Sequence, residues 1–269
     1  MLLMIPCMEC QIQDGVPSGF TLVGYQDSGR YEFTCSKGHK TVTILQAQKF
    51  EVLFEIGANA INDGYYREAV SSFASSLERF HEFSVRVLLL KMQPDKPNLF
   101  DETWKPMNDL SERQSGAFIA TWSVHYGEAP SMLSGNDVNF RNKVIHKGKI
   151  PTRGEAVGFG QRALDLARKQ ISNLRSDCEN EIRQETHRHL IAARAPGDKD
   201  LRISTAGGMS IIGLAVAEGH HARSLEEALV QVSHWRQILR GLEGKTNLAD
   251  SMPIYNPDGS PYAGKSKEK

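Results

Sequence analysis

The sequence predicts a mainly α protein, a helical bundle preceded by a small β module, and three observations carry that prediction. Residues 1–42 hold short β-prone runs separated by turn residues. From about Leu45 to Leu242 the apolar residues recur mostly at helical spacing, with charges between them. At 269 residues the chain is long enough for a small module joined to a medium domain. The expected division is a β module over 1–42, a helical domain with a C-terminal helical extension over 43–245, and a disordered tail over 246–269.

The opening Met1-Leu-Leu-Met-Ile5 run is apolar but far shorter than the roughly 7–15 residues of a signal-peptide core, so a cytoplasmic protein is expected. Two β-prone runs follow, Phe20 to Tyr25 and Tyr31 to Cys35, with turn residues Gln26 to Gly29 between them. Thr41 to Ile44 supplies a third. A two- or three-stranded sheet of this size needs a staple. The cysteines supply a candidate, because three of the four crowd the first 35 residues while Cys178 stands alone, which suits metal-binding thiols better than a disulfide framework. Cys7-x-x-Cys10 and Cys35-x-x-x-His39 offer four ligands of the kind tetrahedral zinc prefers. The stretch from Tyr31 to His39 resembles a zinc-ribbon knuckle, in which Gly38 lets the backbone turn. Four protein ligands close the coordination sphere, so Cys7, Cys10, Cys35 and His39 are expected to hold a structural zinc.

Beyond Leu45 the spacing of Val52, Ile56 and Ala60, then of Ala69, Phe73, Leu77, Phe80, Val87 and Leu90, predicts two helices that meet near Gly64. Phe73, Phe80 and Phe83 are expected in the core. Pro94, Pro97 and Pro106 predict a loop, because proline lacks the amide a helix interior needs. A helix from Ser111 to Tyr126 and a short one from Val138 to Lys147 come next, the latter stopped by Gly148 and Pro151. Thr152-Arg-Gly-Glu155 is a capping box that opens a helix running to about Ala195 at most. A polar connector spans Pro196 to Thr205, and Ser224 caps a last helix ending near Leu242.

The richest segment runs from Phe140 to Arg153. On a helix Asn142 and His146 share a face, Arg141 can swing towards them, and Phe140 and Val144 form an inward apolar side. Lys143, Lys147, Lys149 and Arg153 add positive charge, and no acidic residue interrupts Val138 to Gly154. Arg141-Asn142-x-x-x-His146 resembles the motif of HEPN domains, helical bundles whose ribonuclease members carry Arg, a polar residue and His on one helix. The likeness extends over roughly residues 45–175, including Tyr65-Tyr-Arg-Glu-Ala69 and Ser76 to Glu82. The resemblance implies metal-independent RNA cleavage, in which His146 moves a proton as the ribose 2′-hydroxyl attacks the adjacent phosphate. Arg141 would stabilise the charged phosphate, and Asn142 would orient the histidine or bind a phosphate oxygen. Lys143, Lys147 and Lys149 would bind substrate. It also implies a homodimer with both motif helices on one cleft and, by analogy, a toxin or antiphage role. The alternative is a non-catalytic module that docks nucleic acid or a protein partner.

Other candidates carry less. Acidic and basic residues balance at 32 each, so no global field drives the chain to nucleic acid or membrane. No apolar stretch reaches the roughly 20 residues of a membrane span. His81-Glu82 lacks the second histidine of a metalloprotease helix, Val85 standing in its place. Glu78 and Glu82 are one turn apart and can reach Arg141 or Arg86. His187, His189 and the His220-His221 pair are weak ligand candidates, and Gly207-Gly208 lacks the pattern of a phosphate loop.

Overall fold

A computed structural model describes residues 1–195, 203–207, 211–214 and 224–242. The chain is mainly helical with a few small strands. The predicted tail, the His220-His221 pair and most of the 196–205 connector lie outside the described residues.

The N-terminal module holds β1 (Leu2–Ile5), α1 (Met8–Asp14), β2 (Thr21–Gly24), β3 (Arg30–Thr34) and β4 (Lys40–Leu45). The three anticipated β runs are strands, but they belong to two sheets. β2 pairs antiparallel with β1, the short apolar opening run, and β3 pairs antiparallel with β4. The Gln26–Gly29 turn therefore connects two sheets and closes no hairpin. β5 (Ile203–Ala206) then lies parallel to β4, from Val42 beside Ile203 to Leu45 beside Ala206. The 42/43 boundary thus falls inside β4, and the expected polar connector ends in a strand. Leu3, Ile5, Tyr31 and Leu45 make a small core against Val52 of the following helix.

The bundle begins with α2 (Lys49–Asn62) and α3 (Tyr66–Met92), folded back on one another at Asp63-Gly64 as the spacing predicts. α3 is the axle: it packs against α2, α4 (Leu99–Trp104), α5 (Ser111–Tyr126), α6 (Gly135–His146), α7 (Arg153–Asp177) and α8 (Glu179–Ala192). Fourteen of its residues are buried, which is why its apolar pattern is so regular. The proline-rich loop contains α4, because the prolines flank it and Phe100 and Trp104, stacked at 5.0 Å, bury themselves on the bundle. Ser134 caps α6 by accepting from the Asp137 amide, so that helix starts earlier than predicted.

The helix predicted to reach about Ala195 is two helices. The capping box opens α7 as expected, Thr152 N donating to Glu155 Oε2 at 2.8 Å. The chain then breaks at Cys178, which ends α7 and begins α8. The cause is tertiary: the thiol is drawn into the core and Lys91 Nζ donates to the freed Asp177 carbonyl at 2.8 Å. α9 (Leu225–Leu242) packs on α2 and α7.

Buried polar groups tie these parts together. Glu51 and Glu55, one turn apart on α2, accept the Leu214 and Ile211 amides at 2.9 and 2.7 Å, fastening the strand-to-helix segment beyond β5. Burial pushes their carboxyls up to about 7 and about 8. Arg86 on α3 reaches Asp101 at 2.9 Å and Glu185 at 3.4 Å, with its guanidinium 3.7 Å above the Phe100 ring.

His81 sits in the core, stacked on Phe118 at 4.2 Å with both ring nitrogens unpartnered among the described residues. Burial holds its imidazole down at about 4, against an ordinary 6.5. The unfolded chain therefore takes up this proton first, and stability falls as pH drops from 6.5 towards 4, by about 1.4 kcal/mol per pH unit. Urea unfolding at pH 7 and pH 5 checks this: wild type should lose about 2 kcal/mol more than His81→Leu.

Candidate functional site

Cys7, Cys10, Cys35 and His39 come together from three parts of the module. Cys7 precedes α1 and Cys10 sits in its first turn, so Cys7-x-x-Cys10 is one helical turn where a tight knuckle was expected. Cys35 and His39 flank the turn between β3 and β4, where Cys35 N donates to the His39 carbonyl at 3.0 Å and Gly38 takes φ +83°, a left-handed conformation that favours glycine. Asp14 and Lys37 close the rim with an ion pair at 3.2 Å.

The four ligand atoms lie within 4.8 Å of one another, and the three cysteines are buried. Cys10 Sγ is 3.7 Å from Cys35 Sγ and 3.4 Å from His39 Nδ1, while Cys7 Sγ is 3.9 Å from that nitrogen. A tetrahedron with metal–sulfur bonds near 2.3 Å and metal–nitrogen bonds near 2.0–2.1 Å places its corners about 3.6–3.8 Å apart. The donors match that cage and can bind a metal ion, zinc being compatible. Burial and the neighbouring Cys35 and Cys7 push the Cys10 thiol up to about 12; a cation at the centre reverses this, since a coordinated thiol loses its proton.

Gly19 is a member of this site that the sequence reading missed. Its φ is +63°, and a Cβ built there would lie 2.6 Å from Cys10 Sγ and 3.0 Å from the Cys7 Cβ. No side chain fits against the thiols. A Gly nine residues beyond the second cysteine of a pair carries no local signal for that role, because the approach is tertiary.

The second candidate is the outer face of α6. Val144 is buried and Phe140 packs 5.8 Å from Phe159, so the apolar side faces inward as predicted. Arg141 is ion-paired with Glu78 of α3, and its Nη1 donates to Asn142 Oδ1 at 2.9 Å. Its side chain keeps 20% exposure. Asn142 therefore orients Arg141. His146 is exposed and makes no side-chain hydrogen bond among the described residues. Lys143 and Lys147 are also exposed, whereas Lys149 pairs with Glu155 at 2.6 Å and lies over the Phe140 ring at 5.2 Å. Of the α3 acids, Glu78 holds Arg141 but Glu82 pairs with Arg79, and Arg86 turns to Asp101 and Glu185.

Other histidines are placed elsewhere. His189 Nε2 lies 3.0 Å from the Leu45 carbonyl, and His187 lines a cleft of about 710 Å³ between α7 and α8 that shares no residue with the α6 face. Neither belongs to a ligand cluster among the described residues. No helix among the described residues is long and apolar enough to cross a membrane. The chain matches no protein-family model, no curated protein and no solved structure.

Proposed function

We propose that the protein is a HEPN-like, metal-independent endoribonuclease whose N-terminal module is a zinc ribbon with a purely structural ion. The observation that carries the reading is the α6 face, where an oriented guanidinium, an accessible imidazole and two free ammonium groups stand on one surface helix. The guanidinium offers paired donors to phosphate oxygens, and an imidazole titrates near neutral pH. On this reading His146 takes the 2′-hydroxyl proton as the 2′-oxygen bonds to phosphorus. Arg141 steadies the charge on the phosphate while the bond to the 5′-oxygen breaks, and that oxygen takes a proton from solvent. Lys143, Lys147 and Lys149 draw in the backbone. Two chains would place their α6 helices across one cleft.

A second reading has its own support: Arg141 is already neutralised by Glu78, which suits a module that binds nucleic acid or protein without cutting. One experiment separates them. Zinc-loaded protein is incubated with RNA in EDTA, with circular dichroism to confirm folding. The enzyme reading expects cleavage to 2′,3′-cyclic phosphate ends that persists with chelator and falls about 10²–10⁴-fold in His146→Ala. RNA retention with no cleavage in wild type sinks it and leaves the binding module.

A further inference from the structure

The junction between α7 and α8 gathers a second set of ligating side chains, far in sequence from the N-terminal cluster. Asp177 ends α7, Cys178 separates the helices, and His125 comes from the last turn of α5. His125 Nε2 is hydrogen-bonded to Asp177 Oδ2, Cys178 Sγ lies 3.6 Å from the same oxygen, and the three ligand atoms fall within 4.8 Å of one another. Two further polar groups border the cluster: the Tyr126 hydroxyl lies against the Cys178 thiol, and Glu181 Oε2, one turn into α8, is held among the described residues by Lys91 Nζ at 3.8 Å, beyond hydrogen-bond reach. Groups so weakly held suit a water or an ion beside them.

We propose that His125, Asp177 and Cys178 form a second site for a zinc-class divalent cation, with water in the fourth position beside the Tyr126 hydroxyl. Thiolate with imidazole favours zinc over magnesium or calcium, and one sulfur, one nitrogen and one oxygen make a three-ligand set that leaves a position open. The sulfur–oxygen separation is already that of a tetrahedral edge, near 3.5 Å for ordinary zinc bond lengths. Binding widens the His125–Asp177 contact from an ordinary hydrogen bond by about 0.5 Å as the ion replaces the bridging proton. The Cys178 thiol releases its proton to solvent. Two carboxylates and one thiolate against Lys91, whose Nζ is 3.8 Å from Glu181 Oε2, leave a charge of −2 that the cation balances. The Lys91 bond to the Asp177 carbonyl fixes the junction backbone in advance.

The test is metal content of the full chain by mass spectrometry after equilibrium dialysis against buffered free Zn²⁺, with circular dichroism for folding. Wild type should hold about two ions, and His125→Gln, Asp177→Asn and Cys178→Ser about one each, the N-terminal ion being retained. Cobalt substitution should place one thiolate band with the ion lost in Cys178→Ser. About one ion in wild type, unchanged in the variants, overturns the site and leaves an ordinary ion-paired clamp. Asp177 is the most exposed of the three, so Asp177→Asn decides the matter even where Cys178→Ser fails to fold.

Discussion

Cys10→Ser is expected to strip the N-terminal metal from the chain and unfold β1 to β4 while the bundle helices persist. The module has little else to hold it: apart from the thiol cluster, its buried apolar residues are Leu3, Ile5, Tyr31, Val42, Ile44 and Leu45. Cores of that size do not fold alone, whereas a structural zinc contributes an apparent 10–16 kcal/mol, roughly, at neutral pH. Cys10 is the residue to remove because its sulfur neighbours both Cys35 and His39. The measurement is metal content together with limited proteolysis. Cleavage should concentrate between β1 and β4, with far-ultraviolet helicity largely kept and chelator reproducing the pattern in wild type. A metal-free variant with wild-type protease resistance would show that the strands stand without the ion. Gly19→Ala should follow the same course more weakly, since the new methyl displaces Cys10 Sγ without deleting it.

Phe73→Ala should be the most destabilising single change in the bundle, by about 3–5 kcal/mol. The ring is fully buried, lies 4.7 Å from Phe54, and is clamped between two helical glycines. A Cβ at Gly57 would meet Phe73 Cε1 at 2.6 Å, and one at Gly160 would meet Phe73 Cε2 and Leu225 Cδ2 at 2.6 Å. α2 and α7 can thus approach the same ring on both sides only because neither carries a side chain there. Gly160→Ala gains about 1 kcal/mol of helix propensity, but overpacking costs about 1–3 kcal/mol, so the net sign is destabilising. Gly158→Ala, two residues earlier on α7, meets only the flexible Arg162 Nη1 at 3.4 Å and should keep the propensity gain. Urea midpoints with an unchanged slope would read all three. Stabilisation by Gly160→Ala would mean the clamp is loose.

Much of the helical layout was readable because its causes are local. The α2–α3 reversal at Gly64, the Thr152 capping box and the stop at Gly148 each rest on interactions within about four residues, which residue order exposes directly. The ligand set was legible for the same reason: Cys7-x-x-Cys10 and Cys35-x-x-x-His39 each bring their donors within one turn, and residue type announces the chemistry. The inward Val144 and outward His146 follow from helical period alone.

What the order of residues left open was decided by groups far apart in the chain. No local rule pairs β4 with a strand about 160 residues later, aims Glu51 and Glu55 at the Leu214 and Ile211 amides, or directs Glu78 to Arg141. Nor does one break a continuous helical pattern at Cys178, where burial of the thiol and the reach of Lys91 from α3 outweigh the propensity of the flanking residues. Period and caps specify which segments are helices and which side is apolar. Which buried polar groups meet depends on the three-dimensional packing that removes them from water, since an unsatisfied charge or amide there costs more than any local preference.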